Sequence, residues 1–317
     1  MKNLKIRARS AIILFSILIP LLILTYFVKS LGVAIYMFFS AWALYEVISH
    51  NQNKRSVNLV ISLLSTLIWI IPINWFLKDW GTFWEMYSNG HWVYGLDRDT
   101  LISIIKNTIF FKSNAWSGAP GLGLILVFLI TTFLLIVDVK SQKNAKNWFK
   151  NYFIAIFAVI FIPSSFKLIF MYNVMSLYWL FILFLIPIVC DSFAYLIGRL
   201  IGRKIIKFGF APHISPKKSW EGAIAGYFIG ALFVFIFMGI NFGNSDSIKI
   251  LINQKQIITA VFVLPAISII GDLVFSGIKR AQNIKDFSEL IAGHGGIMDR
   301  FDSLSFNTVF LTFILMI

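Results

Sequence analysis

Long apolar runs without charge recur along the whole chain. Each approaches the ~20 residues that a helix needs to cross a hydrocarbon layer of ~30 Å, and a helix satisfies its own backbone hydrogen bonds in lipid. We therefore predict an all-α polytopic integral membrane protein with about nine transmembrane helices. The predicted spans lie near residues 11–28, 30–49, 56–77, 115–137, 151–166, 168–190, 222–241, 256–278 and 303–317.

Composition excludes other classes of protein. Of the 317 residues, 58% are hydrophobic and only 13% are charged, against about 25% charged in an average soluble domain. This balance excludes an ordinary soluble enzyme, and the high hydrophobicity excludes intrinsic disorder. Cys190 is the one cysteine in the sequence, so neither an intramolecular disulfide nor a Cys/His zinc cluster can form.

The net charge of +14 is unevenly distributed. If the N-terminus is cytoplasmic, 20 of the 28 basic residues fall in cytoplasmic segments, as the positive-inside rule predicts for an odd number of spans. This distribution favours a multi-pass protein of the cytoplasmic membrane, in contact with membrane lipids, over one that binds nucleic acid.

Acidic residues divide the chain into two regions. Eight of the fourteen lie between residues 191 and 302, so we place the chemistry in the C-terminal part. We predict an N-terminal transmembrane region, 1–166, with an outer Trp-rich segment at 78–119. A C-terminal catalytic region, 167–317, follows, with cytoplasmic loops at 199–220 and 279–302.

Asp272 lies inside an apolar helix, about two turns from its cytoplasmic end. Translocon scales place the cost of an Asp at the centre of a membrane helix at about 2.5 to 3.5 kcal/mol, so such a residue is a functional candidate by default. The alternative is a buried ion pair or a carboxylate that reaches water.

The segment Ser276–Asp302 combines three kinds of chemistry. Lysine and arginine side chains suit phosphate oxygens, glycines let the backbone approach an anion, and carboxylates suit Mg²⁺. Each feature alone has a simpler explanation: topology charges, a turn, or carboxylates at a helix start. Their combination with Asp272 favours a site for a phosphorylated substrate and a hard metal ion.

A second basic cluster, Gly198–Gly222, faces the same compartment. Ser215, Lys217 and Lys218 precede a helix and offer hydroxyl and ammonium donors to an anion. Anionic lipid headgroups are the competing ligand. Gly198 and Gly202 have the small-xxx-small spacing, which favours close helix packing.

These residues resemble the phosphatidate cytidylyltransferase family, also called CDP-diacylglycerol synthases. The resemblance covers about the last 130 residues and includes the stretches DSFAYLIGRLIGRK and SPKKSWEG. Its most specific part is a run of matching positions: Ser276, Lys279, Arg280, Lys285, Asp286, Ser288, His294, Gly295, Gly296, Asp299, Arg300 and Asp302. Two positions depart from the usual pattern, Ala292 in place of proline and Phe193 in place of glycine.

The resemblance implies a reaction and roles for these residues. CTP and phosphatidic acid would give CDP-diacylglycerol and pyrophosphate with Mg²⁺, and a monovalent cation (K⁺) and a homodimer are implied as well. Asp272 and Asp299 would hold the metal, with Asp302 and Asp191 as further candidates, and Lys279 and Arg280 would act in catalysis. The substrate-binding residues would be Ser276, Lys285, Asp286, His294, Gly295, Gly296, Arg300, Ser215, Lys217 and Lys218.

Two other readings compete with this one. A transporter of an anionic solute could use Asp272 as a coupling site, although the sequence has neither an evident internal repeat nor paired interrupted helices. A relative that activates another lipid phosphate with CTP would share the metal site but not the acyl pocket.

Overall fold

Helices dominate the computed structural model of the chain. The structure describes residues 16–51, 53–70, 87–88, 91–92, 121–138, 145–239, 251, 253–289 and 295–317. Most of the predicted Trp-rich segment and His294 lie outside the described residues. The helices are α1 (Ser16–Phe27), α2 (Lys29–Ile48), α3 (Arg55–Leu64), α4 (Leu67–Ile70), α5 (Gly121–Val137), α6 (Ala145–Met175), α7 (Leu177–Leu200), α8 (Trp220–Val234), α9 (Gln254–Ala281) and α10 (Met298–Ile314).

Five described helical segments are long and apolar enough to cross a membrane: Leu31–Ile48, Asn147–Met175, Leu177–Leu200, Trp220–Gly239 and Gln254–Ala281. The last two match the spans predicted at 222–241 and 256–278, and the first matches the span predicted at 30–49. The apolar helices Ser16–Phe27, Arg55–Trp69 and Leu124–Val137 are shorter. The chain is therefore a helical membrane protein, as predicted.

One predicted helix boundary is wrong. The sequence placed a break between two spans at residues 163–167, whereas α6 continues through Pro163 to Met175. Pro163 removes the backbone donor that would bond to the Val159 carbonyl, and membrane helices tolerate the loss of one such bond. Serine hydroxyls beside it bond to other carbonyls of the same turn. Ser164 Oγ donates to the Ile160 carbonyl at 2.6 Å, and Ser165 Oγ donates to the Ile162 carbonyl at 2.8 Å.

The chain forms two compact units. The first comprises Met1–Leu177 and Asp286–Asp299, and the second comprises Tyr178–Lys285 and Arg300–Ile317. These units follow packing, whereas the predicted limit near residue 166 follows composition. The segment Asp286–Asp299, which includes most of the predicted glycine-rich loop, packs with the first unit.

The first unit is built around α2 and α6. Gly32 lets the two helices approach closely, since a Cβ there would lie 2.6 Å from the Phe170 ring. Trp69 Nε1 donates to Ser40 Oγ at 3.1 Å, and the buried ammonium of Lys167 donates to the Ile68 carbonyl at 3.1 Å. These bonds satisfy polar groups that would otherwise be costly in an apolar interior.

In the second unit, α7 and α8 are in close contact along a stripe of glycines. A Cβ on Gly222 would lie 2.5 Å from the Ala194 carbonyl oxygen, and one on Gly226 would lie 2.5 Å from that of Cys190. Gly230 approaches the Cys190 Sγ in the same way, at 2.4 Å. Small residues at this spacing let helix backbones meet in a membrane protein.

A short β-hairpin connects α7 to α8. Its strands, β3 (Gly209–Ala211) and β4 (Ser215–Ser219), are antiparallel, with Gly209 opposite Ser219 and Ala211 opposite Ser215. A further hairpin in the first unit pairs β1 (Tyr87–Ser88) with β2 (His91–Trp92). The sequence did not predict either hairpin. As expected, α8 begins directly after the basic cluster, with Ser219 as its N-cap.

Candidate active site

The second unit contains a cavity of about 400 Å³ between α7, β4, α8 and α9. Polar and charged side chains from three of these elements face it. Its lining residues are Asp191, Ala194, Tyr195, Gly198, Arg199, Lys217, Lys218, Ser219, Ala223, Ile269 and Asp272. Two carboxylates and three basic groups thus share one cavity, which suits an anionic ligand accompanied by a cation.

Helix α7 supplies one wall of this cavity. Asp191, Tyr195 and Arg199 are spaced by four residues, so their side chains project from the same helix face. Gly198 lets α7 lie close to Ser219, because a Cβ there would lie 3.1 Å from Ser219 Oγ. The close packing predicted for Gly198 therefore also shapes the cavity.

Strand β4 places Lys217 and Lys218 in the cavity lining, and Glu221 fixes the chain that leads into the hairpin. The Glu221 carboxylate accepts hydrogen bonds from the backbone N–H groups of Arg203, Ile205 and Ile206 at 3.1, 3.0 and 2.9 Å. Arg203 has a φ of 62°, a left-handed conformation that is costly for a residue with a Cβ. Its guanidinium also donates to the Pro216 carbonyl of β4.

The most informative contact in the cavity is an ion pair between Lys218 and Asp272. The Lys218 ammonium meets one Asp272 oxygen, and Ser276 Oγ donates to the other at 3.2 Å. The two charged side chains are 27% and 23% exposed, so the pair is accessible from the cavity. The sequence offered a buried ion pair as the simpler explanation for Asp272, but this pair lies in the wall of an open cavity.

Two more carboxylates lie close enough to Asp272 to interact electrostatically with it. The first is Asp191, across the cavity lining. The second is Asp302, which precedes the last predicted span. Lys279 also lies close enough to Asp302 to interact electrostatically with it. Carboxylates gathered in this way favour the approach of a cation.

The donor set fits a magnesium ion held partly by substrate. Within the part of the chain that the structure describes, no group of three His, Cys, Asp or Glu side chains is arranged as a metal cluster. Mg²⁺ usually takes only one or two carboxylates and completes its octahedron with waters and substrate phosphates. Asp272 and Asp191, which line the same cavity, offer the hard oxygen ligands that this requires.

The predicted basic residues at the end of α9 differ in their surroundings. Lys279 is buried, at 9% exposure, and Lys285 is exposed. The exposed Arg280 donates through Nε to the Ile214 carbonyl at 3.2 Å and through a terminal nitrogen to the Ile284 carbonyl at 2.9 Å. Arg280 therefore ties the end of α9 to the hairpin.

Asp299 holds the glycine-containing segment of the first unit. Its Oδ2 accepts hydrogen bonds from the backbone N–H groups of Phe287 and Gly296, both at 2.9 Å. Gly295 has a φ of 80°, and a Cβ there would lie 2.7 Å from the same oxygen. Gly295 therefore has the positive φ that glycine tolerates, and a residue with a Cβ would be strained at this position.

Sequence reasoning missed Glu46 as a site residue. It lies near the end of α2, is 3% exposed, and accepts hydrogen bonds from Trp42 Nε1, Ser288 Oγ and the Met298 backbone N–H. The signal was available, because a carboxylate in an apolar helix is as unusual at position 46 as at position 272. Arg199, Tyr195 and Ser219 were also missed, and only helical spacing could have placed the first two together.

The predicted site residues thus divide between the two units. Asp191, Lys217, Lys218 and Asp272 share the cavity, and Ser276 contacts Asp272. In the first unit, Asp299, Gly295 and Gly296 lie together. The proximity of Asp272 to Asp299 stays a prediction. Ser215 begins β4, and Asp286 and Arg300 are exposed.

The fold and the cavity together define a helical membrane protein with a cavity lined by charged side chains of both signs. The chain belongs to the cytidylyltransferase family, which matches it over residues 5–317. The resemblance found in the sequence is confirmed, and the protein is a nucleotidyltransferase.

Curated relatives carry the name phosphatidate cytidylyltransferase. The protein from Haemophilus influenzae is 34% identical over 192 residues, which are 56% of this chain and 63% of the relative. The one from Aquifex aeolicus is 30% identical over 214 residues, or 68% of this chain and 75% of the relative. The one from Staphylococcus saprophyticus is 27% identical over 310 residues, 95% of both chains.

Proposed function

We propose that the protein transfers CMP from CTP to phosphatidic acid, giving CDP-diacylglycerol and pyrophosphate for phospholipid synthesis. The observation that carries the proposal is the cavity around the Lys218–Asp272 ion pair, in a chain of the cytidylyltransferase family. The names of the relatives supply the lipid substrate.

The reaction needs no dedicated base. A phosphomonoester has a second pKa near ~6, so phosphatidate is largely a dianion at neutral pH. One of its oxygens bonds to the α-phosphorus of CTP, and the bond from that phosphorus to the oxygen bridging the β-phosphorus breaks. Pyrophosphate leaves with the electron pair. The obstacle is repulsion between two anions, so catalysis depends on positioning and on charge screening.

The cavity supplies these two effects. Lys217, Lys218 and Arg199 bring three positive charges to its lining, and we assign them to the phosphates of the substrates. When an anionic phosphate binds, Lys218 exchanges part of its contact with Asp272 for the phosphate. The sequence predicts Lys279, Arg280 and Lys285 as further ligands of the phosphates. It predicts that Ser276 donates a hydrogen bond to them as well.

We propose Mg²⁺ as the cofactor, held by Asp272 and Asp299 with Asp191 and Asp302 as further ligands. Bound there, it would neutralise charge on the phosphates as pyrophosphate leaves. Asp272 and Asp191 face one cavity, which supports their part in this set. A monovalent cation beside Mg²⁺ follows from the family resemblance alone.

We also propose nine crossings with a cytoplasmic N-terminus, in the cytoplasmic membrane. The support is the charge distribution and the chemistry of the substrate. Burying acyl chains contributes about 0.8 kcal/mol per CH₂, so phosphatidate stays in the bilayer and the site has to lie at headgroup depth. The homodimer is proposed from the resemblance.

Cysteine labelling tests this topology. The native Cys190 is buried and is replaced by serine. In this cysteine-free background, Lys54→Cys and Asp97→Cys each introduce one cysteine. In intact cells, a membrane-impermeant maleimide should label the second variant and leave the first unlabelled. Labelling of Lys54→Cys in intact cells would contradict the proposed orientation.

The activity is tested with the purified protein, Mg²⁺, cytidine-labelled CTP and a panel of lipid phosphates. Label should enter the organic phase with phosphatidate. A product formed only with another lipid phosphate would assign the enzyme to a different lipid. Flux of an anionic solute in proteoliposomes without any such product would favour a transporter.

A further inference from the structure

We infer that Glu46 is a positioning residue that fixes one segment of the first unit, residues 287–289 together with 295–298, and through it Asp299, in the form that the proposed transfer uses. This inference rests on the proposed function for its catalytic consequence. Its structural basis lies entirely within the first unit, in contacts that reach from the end of α2 to the start of α10.

Glu46 holds this segment at two points. Its Oε1 accepts a hydrogen bond from Ser288 Oγ at 2.8 Å, and its Oε2 accepts one from the Met298 backbone N–H at 3.1 Å. A third hydrogen bond, from Trp42 Nε1 at 3.2 Å, orients the carboxylate from within α2. The side chain therefore connects Ser288 and Met298, one from each part of the segment, to one membrane helix.

The three groups that donate to Glu46 in these bonds are neutral, and its carboxylate is almost fully buried. A buried carboxylate is expensive unless hydrogen bonds satisfy it. A neutral side chain could fill the same space at lower cost, so packing alone does not explain a glutamate here. A fixed acceptor for two separate parts of the segment does explain it.

Gly296 connects Glu46 to Asp299. A Cβ at this position would lie 2.4 Å from Glu46 Oε2 and 2.7 Å from Ser288 Oγ, so the backbone of Gly296 is in close contact with the carboxylate. The N–H of the same residue donates to Asp299 Oδ2 at 2.9 Å. A displacement of Glu46 is therefore transmitted through one glycine to the Asp299 carboxylate.

A second contact from the same end of α2 supports this function. His50, one turn beyond Glu46, bonds through Nε2 to the Phe287 carbonyl oxygen at 2.7 Å. The Phe287 N–H donates to Asp299. The end of α2 and the start of α10 thus hold the segment from both sides, and outer-shell contacts of this kind typically change metal affinity or activity by 10- to 100-fold when removed.

Hydrogen exchange tests the positioning without reference to activity. In the full-length purified protein, Glu46→Ala should accelerate exchange of the Gly296 and Met298 amides, and Glu46→Gln should do so to a smaller extent. Asp138→Asn is the matched control, since Asp138 is a buried carboxylate that accepts the Lys54 backbone N–H in the same unit. Unchanged exchange in Glu46→Ala, or equal acceleration in the control, would overturn the inference.

Kinetics then test the consequence. Glu46→Ala should raise the Mg²⁺ concentration for half-maximal activity and lower kcat by about 10- to 100-fold, with the KM for phosphatidate unchanged. Asp138→Asn should leave the Mg²⁺ requirement, kcat and the KM for phosphatidate near their wild-type values. A change confined to the lipid KM would contradict the inference. Accelerated exchange in a protein that makes no cytidylyl lipid would instead contradict the proposed function and leave the positioning intact.

Gly296→Ala covers the case in which Glu46→Ala is unstable, and where both variants fold they form a double-variant cycle. Gly296→Ala places a Cβ against the carboxylate and should by itself reproduce the kinetic defect. In the Glu46→Ala background only the rotatable Ser288 hydroxyl still lies against the added Cβ, so the second substitution should cost much less. Contacting residues give such non-additive effects, whereas additive losses would show that the two residues act independently and would overturn the inference.

Discussion

The ammonium group of Lys218 forms an ion pair with the carboxylate of Asp272, which lies 54 residues further along the chain. The pair connects strand β4 to helix α9 and lies in the lining of the cavity that also contains Asp191 and Arg199. A lysine paired in this way can turn from the carboxylate to a substrate phosphate. The predictions below follow from this relationship and from the elements that support it.

Lys218→Gln should lower kcat/KM by about a hundredfold, because a charged donor to a developing anion is lost. Lys218→Arg should keep part of the activity, since the charge remains but the geometry changes. The control is Lys54→Gln, an exposed lysine whose charge we assign to topology alone. Equal losses in Lys54→Gln and Lys218→Gln would mean that topology charges had been mistaken for site charges.

Asp272→Asn and Asp299→Asn should each abolish turnover, and excess Mg²⁺ should not restore it. In the wild-type protein, chelation should abolish activity and added Mg²⁺ should recover it. The two variants should differ in thermal stability. Only Asp299 accepts backbone hydrogen bonds from Phe287 and Gly296, so only that variant should lower the Tm. Near-normal activity in either variant would remove its residue from the metal site.

Glu221→Ala should open the chain between α7 and the hairpin, because three backbone N–H groups lose their acceptor. Limited trypsin digestion measures this opening at Arg203, Lys204 and Lys207, and cleavage should become about tenfold faster. Glu221→Gln keeps one acceptor oxygen and should have an intermediate effect. If the alanine variant were as resistant as wild type, Glu221 would not hold this turn.

Gly226→Ala should lower the Tm in detergent, because the added Cβ would lie 2.5 Å from the Cys190 carbonyl oxygen and force α7 away from α8. Overpacking of this kind typically costs about 1 to 3 kcal/mol. Gly277→Ala is the matched control, since its Cβ would meet only the Ile214 side chain at 3.9 Å. There the higher helix propensity of alanine should hold or raise the Tm. Equal losses of Tm would contradict close α7–α8 packing.

The sequence predicts the helical membrane fold because a span requires only local apolar composition. The spans at 30–49, 222–241 and 256–278 lie where the structure has helices. The break expected at Pro163 is absent because one proline removes only one backbone hydrogen bond from an otherwise continuous apolar helix. The β3–β4 hairpin was missed because its strands, of three and five residues, are too short to show apolar alternation.

The candidate site was only partly predictable. Asp272 was found because an isolated carboxylate in an apolar helix is costly, and the same argument applied to Glu46 would have singled it out as well. The pairing of Asp272 with Lys218 depends on tertiary packing between residues distant in sequence. Tyr195 and Arg199 line the cavity only because α7 continues four and eight residues beyond Asp191.

Position-specific labelling of CTP tests the central claim most directly. The purified protein is supplied with phosphatidate, Mg²⁺ and CTP that carries ³²P at either the α or the γ position. We predict that the α label enters the organic-extractable lipid, that the γ label appears in pyrophosphate, and that Lys218→Gln and Asp272→Asn form little of either product. Gamma label in the lipid, or α label transferred at wild-type rates by both variants, would contradict cytidylyl transfer at this cavity.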